Sequence, residues 1–363
     1  MRAFPASEQQ LVEKLLDVLQ ALPDIRADLV RREPAGAAHD RGYDAEINLR
    51  IAAKSLTLLV EAKKTVYPRD VQQALWRIKA SSGRSGKPGI GVVPMLAAES
   101  LSPGAKELLR AENVGYFDSG GSLYLPVPGA YVYIDKPPPK AQVSAMRSLF
   151  SGRRAQAIHT LLMHREQWFG VKELAEQSQV SAATASEVLS ELEKFEWIAP
   201  RGRGPNKERQ LRDPRALLDA WSRQAIDDQP QALQRYFVPG ARADALVDRA
   251  AQAFDARGAS YAVSHEAAAQ RYAPFLTSVG QVRCRVLAAP EANDALADLG
   301  ARAVNEGANF AIIEVKSPGE LLLRERVGNA WLASPIHVYL DLLRGEGRAK
   351  EMAEHLRQER IGF

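Results

Sequence analysis

Apolar residues in the first third of the chain recur with the periods of both helices and strands. Four leucines within residues 7–21 share one helical face, which predicts an amphipathic helix. These leucines are Leu11, Leu15, Leu16 and Leu19. The elements predicted after it are strands over residues 44–51, 55–63, 88–96 and 115–127, and helices over residues 69–83 and 104–114. Alternating helices and strands predict an α/β domain over residues 1–136.

The pattern changes after three consecutive prolines. Prolines cannot continue a helix or an interior strand, so residues 137–149 are predicted to be a Pro-rich linker. Residues 150–222 then show three helical segments and a short strand pair, and residues 240–363 return to an α/β pattern. The expected fold is therefore α/β and multidomain, with a helical module in the middle.

Composition limits the number of domains, the kind of partner and the cellular compartment that we expect. A chain of 363 residues exceeds one ordinary domain, and its net charge of +4 permits a polyanionic partner without requiring one. The single cysteine, Cys284, excludes an internal disulfide and fits a reducing compartment. No apolar run is long enough to span a membrane, and no secretory signal precedes the first helix. We expect a cytoplasmic protein without a membrane partner.

Residues 171–194 have the spacing of a helix-turn-helix. A short helix follows Gly170, a sharp turn follows it, and Ser181 is placed to cap the next helix. Small and hydroxylated side chains on the first turns of that helix permit close approach to phosphates and base edges. The candidate DNA-contacting residues of this helix are Ser181, Ala182, Thr184 and Ser186.

A glycine-rich basic loop lies just downstream of this helix. Its cations favour contact with the phosphate backbone of duplex DNA, and Glu208 is the one acid among them. They are Arg201, Arg203, Lys207 and Arg209. Over about sixty residues the segment resembles the winged helix-turn-helix of bacterial transcriptional regulators. Such modules also bind proteins, so a protein-interaction role is the alternative.

Two predicted strands carry acids at positions that face the same sheet edge. Asp44 begins the first strand, and Glu61 and Lys63 end the second as Glu-x-Lys. Glu46 is an alternative to Asp44. A second Glu-x-Lys, Glu314 to Lys316, has no such upstream acid and is interpreted as a simple strand end.

This arrangement resembles the core of the PD-(D/E)XK nuclease superfamily over residues 7 to about 125. The resemblance implies that Asp44 and Glu61 hold Mg²⁺ and that Lys63 orients or deprotonates water. It also implies a glutamine on the following helix, Gln73 or Gln72, and an acid on the first helix, Glu8 or Glu13. No proline precedes Asp44, which departs from the family pattern.

The C-terminal region predicts a strand, a small-residue helix and another strand, followed by an apolar run over residues 334–343. Its helical stripe is interpreted as core and consists of Ile336, Tyr339, Leu340, Leu342 and Leu343. The order of the apolar helix, a basic turn and a last helix resembles AbiEi-family antitoxins of type IV toxin-antitoxin systems, which also carry an upstream winged helix. The resemblance implies binding of the operon's own DNA and opposition to a nucleotidyltransferase-like toxin. The isolated histidines, His265, His337 and His355, are interpreted as structural.

The sequence thus leads to a first hypothesis of a DNA-binding transcriptional regulator that is not an enzyme and needs no cofactor. Its expected partners are double-stranded DNA, a toxin, and a second copy of the chain, the last by analogy with dimeric regulators. The alternative is a Mg²⁺-dependent DNA endonuclease that the winged helix targets. In that case Asp44, Glu61, Lys63 and Gln73 are catalytic.

Overall fold

The computed structural model describes residues 6–32, 43–51, 54–85, 91–137, 140–227, 232–240 and 243–363. It divides into two compact units. Unit 1 comprises residues 1–147 and 191–196, and unit 2 comprises residues 148–190 and 197–363. Both contain a mixed β-sheet with helices, so the α/β multidomain class is confirmed. Unit 2 includes the predicted C-terminal domain and the predicted central module except residues 191–196, which belong to unit 1.

The sheet of unit 1 has seven strands whose spatial order follows the chain. The strands are β1 (Ile25–Arg32), β2 (Ala45–Ile51), β3 (Lys54–Val66), β4 (Gly91–Leu101), β5 (Gly115–Asp118), β6 (Leu123–Val127) and β7 (Ala130–Ile134). Strands β3, β4 and β5 pair in parallel, and all other neighbours pair antiparallel. The parallel pairs need crossovers, which two helices provide.

Helices cover both faces of this sheet. They are α1 (Ala6–Gln20), α2 (Pro68–Ser85) and α3 (Pro103–Ala111). Alternate residues of β4 point to opposite faces, so Met95 packs with the α1 leucines while Leu96 packs with the α2 and α3 side chains. The predicted apolar face of α1 is confirmed because Leu11, Leu15 and Leu19 are buried and Leu16 packs against them.

The predicted linker is shorter than expected. Lys140–Leu149 forms helix α4, which corrects the prediction that all of residues 137–149 are linker. The physical reason is local, since the prolines end at residue 139 and the next ten residues contain neither proline nor glycine. Pro138 and Pro139 lie outside the described residues.

Unit 2 begins with three helices and an antiparallel hairpin. The helices are α5 (Gly152–Met163), α6 (Val171–Gln177) and α7 (Ala182–Lys194), and the hairpin consists of β8 (Ile198–Arg201) and β9 (Glu208–Leu211). Phe169 forms an isolated antiparallel β-bridge with Arg209 of the hairpin, through two main-chain hydrogen bonds of 2.8 and 2.9 Å. Leu174, Val188 and Leu189 are buried as predicted. Helix α8 (Pro214–Asp227) follows.

The rest of unit 2 is built on a second seven-stranded sheet, in the order β13-β10-β14-β12-β11-β16-β15. Its strands are β10 (Gln234–Phe237), β11 (Tyr261–Ser264), β12 (Val282–Leu287), β13 (Arg302–Ala303), β14 (Phe310–Val315), β15 (Glu325–Val327) and β16 (Ala330–Leu332). The helices are α9 (Ala243–Ala256), α10 (His265–Tyr272), α11 (Pro290–Asp298), α12 (Pro335–Leu343) and α13 (Ala349–Leu356). Strand β14 ends just after Glu314, as predicted.

Helix α12 is almost wholly buried, because apolar side chains surround it. The predicted apolar stripe of Ile336, Tyr339, Leu340, Leu342 and Leu343 is buried and is confirmed as core. No helix in the described part of the chain is long and apolar enough to cross a membrane.

Candidate active site and candidate DNA-binding surface

The ladder between β2 and β3 ends with Ala45 opposite Val60, and Asp44 and Glu61 are the next residues along the two strands. Asp44 N–H donates to the Val60 carbonyl at 2.8 Å. The Asp44 carboxylate turns back onto the neighbouring strand, where Oδ2 accepts a 2.6 Å hydrogen bond from Ala62 N–H. Glu46 pairs with Leu59 instead, two residues further along the strand. This register favours Asp44 over Glu46 as the carboxylate beside Glu61.

Glu61 is a buried carboxylate with two cations at its outer edge. Its Oε1 lies 2.9 Å from Lys63 Nζ and 3.7 Å from Arg77 Nη1, and 6% of its side chain is exposed. Burial raises the pKa of Glu61, the bond to Lys63 opposes that shift, and the charge of Asp44 adds to it. Its other oxygen, Oε2, is buried and has no hydrogen-bond partner among the described residues.

Helix α1 contributes a third acid to the neighbourhood of this pair. Burial raises the pKa of Glu8, with a further rise from Asp44 and an opposing effect of Lys63. Glu8 therefore lies within electrostatic range of Asp44 and Lys63. Gln72 and Gln73 are exposed on α2. Arg77, one turn after Gln73, is the α2 side chain that reaches Glu61.

These residues fit a divalent cation in part. Mg²⁺ is usually bound through one or two carboxylates together with waters, so Asp44 and the unpartnered Oε2 of Glu61 are suitable ligands. Within the described residues, no group of three or more His, Cys, Asp or Glu side chains has the arrangement of a metal site. The predicted pair is therefore the whole protein donor set that we assign.

The first turn of α7 has the predicted cap and an exposed surface. Thr184 N–H donates to Ser181 Oγ at 3.1 Å, which confirms Ser181 as the capping residue. Ser181 and Ala182 are exposed, while Thr184 and Ser186 are half-buried. The two hydroxyls of Ser181 and Thr184 lie 2.9 Å apart. The candidate contact residues of this helix thus lie together at its N-terminal end.

The four cations of the basic hairpin have different environments. Arg201 Nε lies 2.7 Å from Glu208 Oε2, and its guanidinium lies over the Trp168 ring at 4.2 Å. Arg203 is exposed at the tip, and Lys207 is half-buried. Arg209 is buried and donates to the Lys207 carbonyl at 3.2 Å, so the prediction that it lies on the exposed loop is wrong. Side chains of a strand alternate between its two faces, and Arg209 is on the buried face of β9.

No family model, curated protein or solved structure matches this chain.

His265 and His337 have polar or aromatic partners, so they are not isolated, and these contacts agree with their interpretation as structural histidines. His337 packs against His159 with ring centroids 4.0 Å apart, and His159 Nε2 lies 2.5 Å from Ser334 Oγ. His265 Nδ1 lies 2.8 Å from Ser264 Oγ and 3.6 Å from Asp341 Oδ2. Burial lowers the pKa of all three rings, so they are neutral at pH 7. Long-range packing brings these groups together, and no local sequence signal predicts it.

Proposed function

We propose that the protein is a DNA-binding transcriptional regulator that contacts duplex DNA through a winged helix. Helices α5, α6 and α7 would form the helix-turn-helix, and the β8–β9 hairpin would form the wing. The exposed and capped N-terminus of α7 carries this proposal, since it offers free N–H groups and small side chains to phosphates and base edges. Arg203 at the tip of the hairpin adds an exposed cation.

The regulator we propose is of the AbiEi antitoxin type. The order of the hairpin, the α12 helix and the α13 helix along the chain supports this, as does the burial of the α12 stripe as core. The corresponding partner is a nucleotidyltransferase-like toxin. In this function the protein is not an enzyme, and unit 1 contributes to holding DNA or protein.

Arg203→Ala tests the wing. Arg203 is exposed, whereas Arg201 is already paired with Glu208, so we expect Arg203→Ala to weaken duplex binding more than Arg201→Ala. Losing one phosphate contact should also reduce the slope of log affinity against log salt by about 1. The measurement is fluorescence anisotropy with labelled duplex over a series of salt concentrations.

The matched control for this variant is Arg302→Ala, because Arg302 is an exposed arginine on the short strand β13. Its effect should be limited to a small change from the altered net charge. An Arg203→Ala variant with the affinity and salt slope of the wild type would remove the hairpin from the proposal.

Metal-dependent DNA cleavage is the second candidate function, and the neighbouring carboxylates of Asp44 and Glu61 favour it. A bound Mg²⁺ would polarise the scissile phosphate and stabilise the developing charge. Asp44 and Glu61 would hold the ion, with Asp44 positioned by the Ala62 N–H. Lys63, on the same face as Glu61, would orient the attacking water, and its ammonium group balances the charge of the buried glutamate.

Lys63→Ala tests this second function, with Lys64→Ala as the matched control. Lys64 is the next residue of β3, is exposed, and points to the opposite face. If the protein is a nuclease, the wild type and Lys64→Ala should cut duplex DNA in Mg²⁺ or Mn²⁺, and Lys63→Ala should not, which a plasmid-nicking assay shows. Cutting that persists in Lys63→Ala contradicts the assignment of Lys63 to the active site. A wild type that does not cut DNA contradicts the nuclease function, and the regulator then remains as the proposed function.

A further inference from the structure

A cavity of about 400 Å³ lies inside unit 2, away from the residues assigned to DNA. Helix α5, helix α8, the end of α12 and the turn Pro318–Leu321 surround it. This volume falls in the range of about 300–1,000 Å³ that small-molecule sites occupy. The residues that line it have no role in either proposed function.

The floor of the cavity is a buried arginine that is only partly satisfied. Arg285 Nη2 and Nε donate to the two oxygens of Asp341, at 2.5 and 3.3 Å, and both side chains are more than nine-tenths buried. Nη1 of Arg285 takes no part in this pair with Asp341, which uses Nε and Nη2. A guanidinium has five N–H donors, and a buried one that keeps some of them unpaired favours an additional oxygen acceptor.

The walls carry more donors and more positive charge. Arg344 Nε donates to the Ala225 carbonyl at 2.5 Å, which fixes its guanidinium at the wall, and Arg153 lies at the rim. Gln156 accepts one long hydrogen bond of 3.5 Å from Arg153, and its Nε2 is buried without an acceptor among the described residues. Asp341 and Glu320 are the cavity's two acids, so three guanidinium groups outnumber them.

The remaining wall is aromatic. Phe150 and Trp221 stack with centroids 5.9 Å apart and an angle of 16°, and His337 meets Trp221 edge-on at 6.2 Å. Burial lowers the pKa of His337, and His159 and Arg285 lower it further, so this ring is neutral and adds apolar surface instead of charge. Flat, rigid surfaces of this kind suit a planar organic group.

We propose that this cavity binds a small aromatic anion, with its phosphate or carboxylate group on Arg285 and Arg344 and its ring against Trp221. The ligand contacts α5 and the C-terminal sheet together, so its binding stabilises unit 2. None of the residues assigned to DNA or to Mg²⁺ lines this cavity.

Titration calorimetry with three probes tests the site on the full-length protein. Phenyl phosphate and benzoate share the ring and differ in the anion, and inorganic phosphate has the anion without the ring. We expect saturable 1:1 binding of at least one aromatic probe, at least tenfold tighter than phosphate alone. Whichever of phenyl phosphate and benzoate binds more tightly shows whether the site prefers a phosphate or a carboxylate. Absence of saturable binding by both aromatic probes overturns the proposal.

Variants separate the cavity from general charge effects. Arg344→Gln should weaken the affinity for the aromatic probe at least tenfold. Arg348→Gln, at an exposed position outside the cavity, should leave that affinity unchanged. Ala155→Phe on α5 adds a ring at the cavity wall without changing charge and should abolish binding. Equal affinity in the wild type and Ala155→Phe, with both folded by circular dichroism, places the probe elsewhere and overturns the proposal.

Discussion

Arg285→Ala is expected to lower the free energy of unfolding of unit 2 by about 3–5 kcal/mol, the cost of leaving a buried charge without its partner. Asp341 is 3% exposed, and Arg285 supplies the two hydrogen bonds that offset the loss of its hydration. His265 Nδ1 lies 3.6 Å from Asp341, and burial lowers the pKa of this ring, with Arg285 adding to that shift. Urea denaturation followed by tryptophan fluorescence measures the change.

The pH dependence of this effect has a definite sign. Arg285 holds the pKa of Asp341 below its usual value of 3.8 in spite of burial, so the pair's stabilisation is complete above that value. It is lost as the pH falls from 3.8 through the lowered pKa. The difference in stability between the wild type and Arg285→Ala should therefore be full at pH 7 and should shrink in acid.

Two further variants show whether the isolated charge is the cause. The double variant Arg285→Met with Asp341→Leu removes both charges, and such replacements of buried ion pairs are often neutral or stabilising. It should recover most of the lost stability. Arg257→Ala breaks the exposed pair with Asp298 and should change stability far less. If Arg285→Ala is as mild as Arg257→Ala, the buried pair does not stabilise unit 2.

Ala182→Glu is expected to reduce duplex affinity at least tenfold while leaving the fold intact. Ala182 is the exposed first residue of α7, where the proposed interface meets phosphates. A like charge placed across an interface costs several kcal/mol, and about 1.4 kcal/mol already corresponds to tenfold. The same carboxylate at a helix N-terminus interacts favourably with the helix dipole. Binding and folding should therefore change in opposite directions.

Ala288→Glu is the matched control for this variant. Ala288 is exposed and lies two residues before the start of helix α11, so the substitution makes the same charge change near another helix N-terminus. Its duplex affinity should stay near that of the wild type. Anisotropy titrations of both variants, with thermal melts beside them, decide the matter. Equal losses in the two would indicate an effect of net charge alone and would count against α7 as the contact surface.

Periodicity predicted the elements that bury one continuous apolar face. Helices α1, α6, α7 and α12 follow from their spacing, and β2, β3 and β4 follow from apolar runs. Strand β1 was missed because Arg26 and Asp28 alternate with its apolar residues, and an edge strand needs one buried face only. Helix α4 was missed because the linker predicted from the three prolines was extended ten residues beyond them, to residue 149.

The sequence predicted which residues form the candidate site better than it predicted how they are arranged. Asp44, Glu61 and Lys63 were found from the Glu-x-Lys pattern and its upstream strand, yet Asp44 and Glu46 were equal choices in sequence. Pairing register separated them, because a shift of two residues along a strand changes the partner and leaves the face unchanged. Arg77 was missed, since nothing local marks an exposed helical arginine as the partner of a distant glutamate.

The sequence by itself determined the α/β class, the helix-turn-helix spacing with its Ser181 cap, and the presence of two carboxylates and a lysine at neighbouring strand ends. These depend on local periodicity and capping, which a few consecutive residues encode. Only the tertiary structure decided that Arg209 is buried, that Arg201 is paired with Glu208, and that Arg285 and Asp341 share a buried cavity wall. Burial and charge pairing depend on residues far apart in the chain, and the folded backbone alone brings them within contact distance.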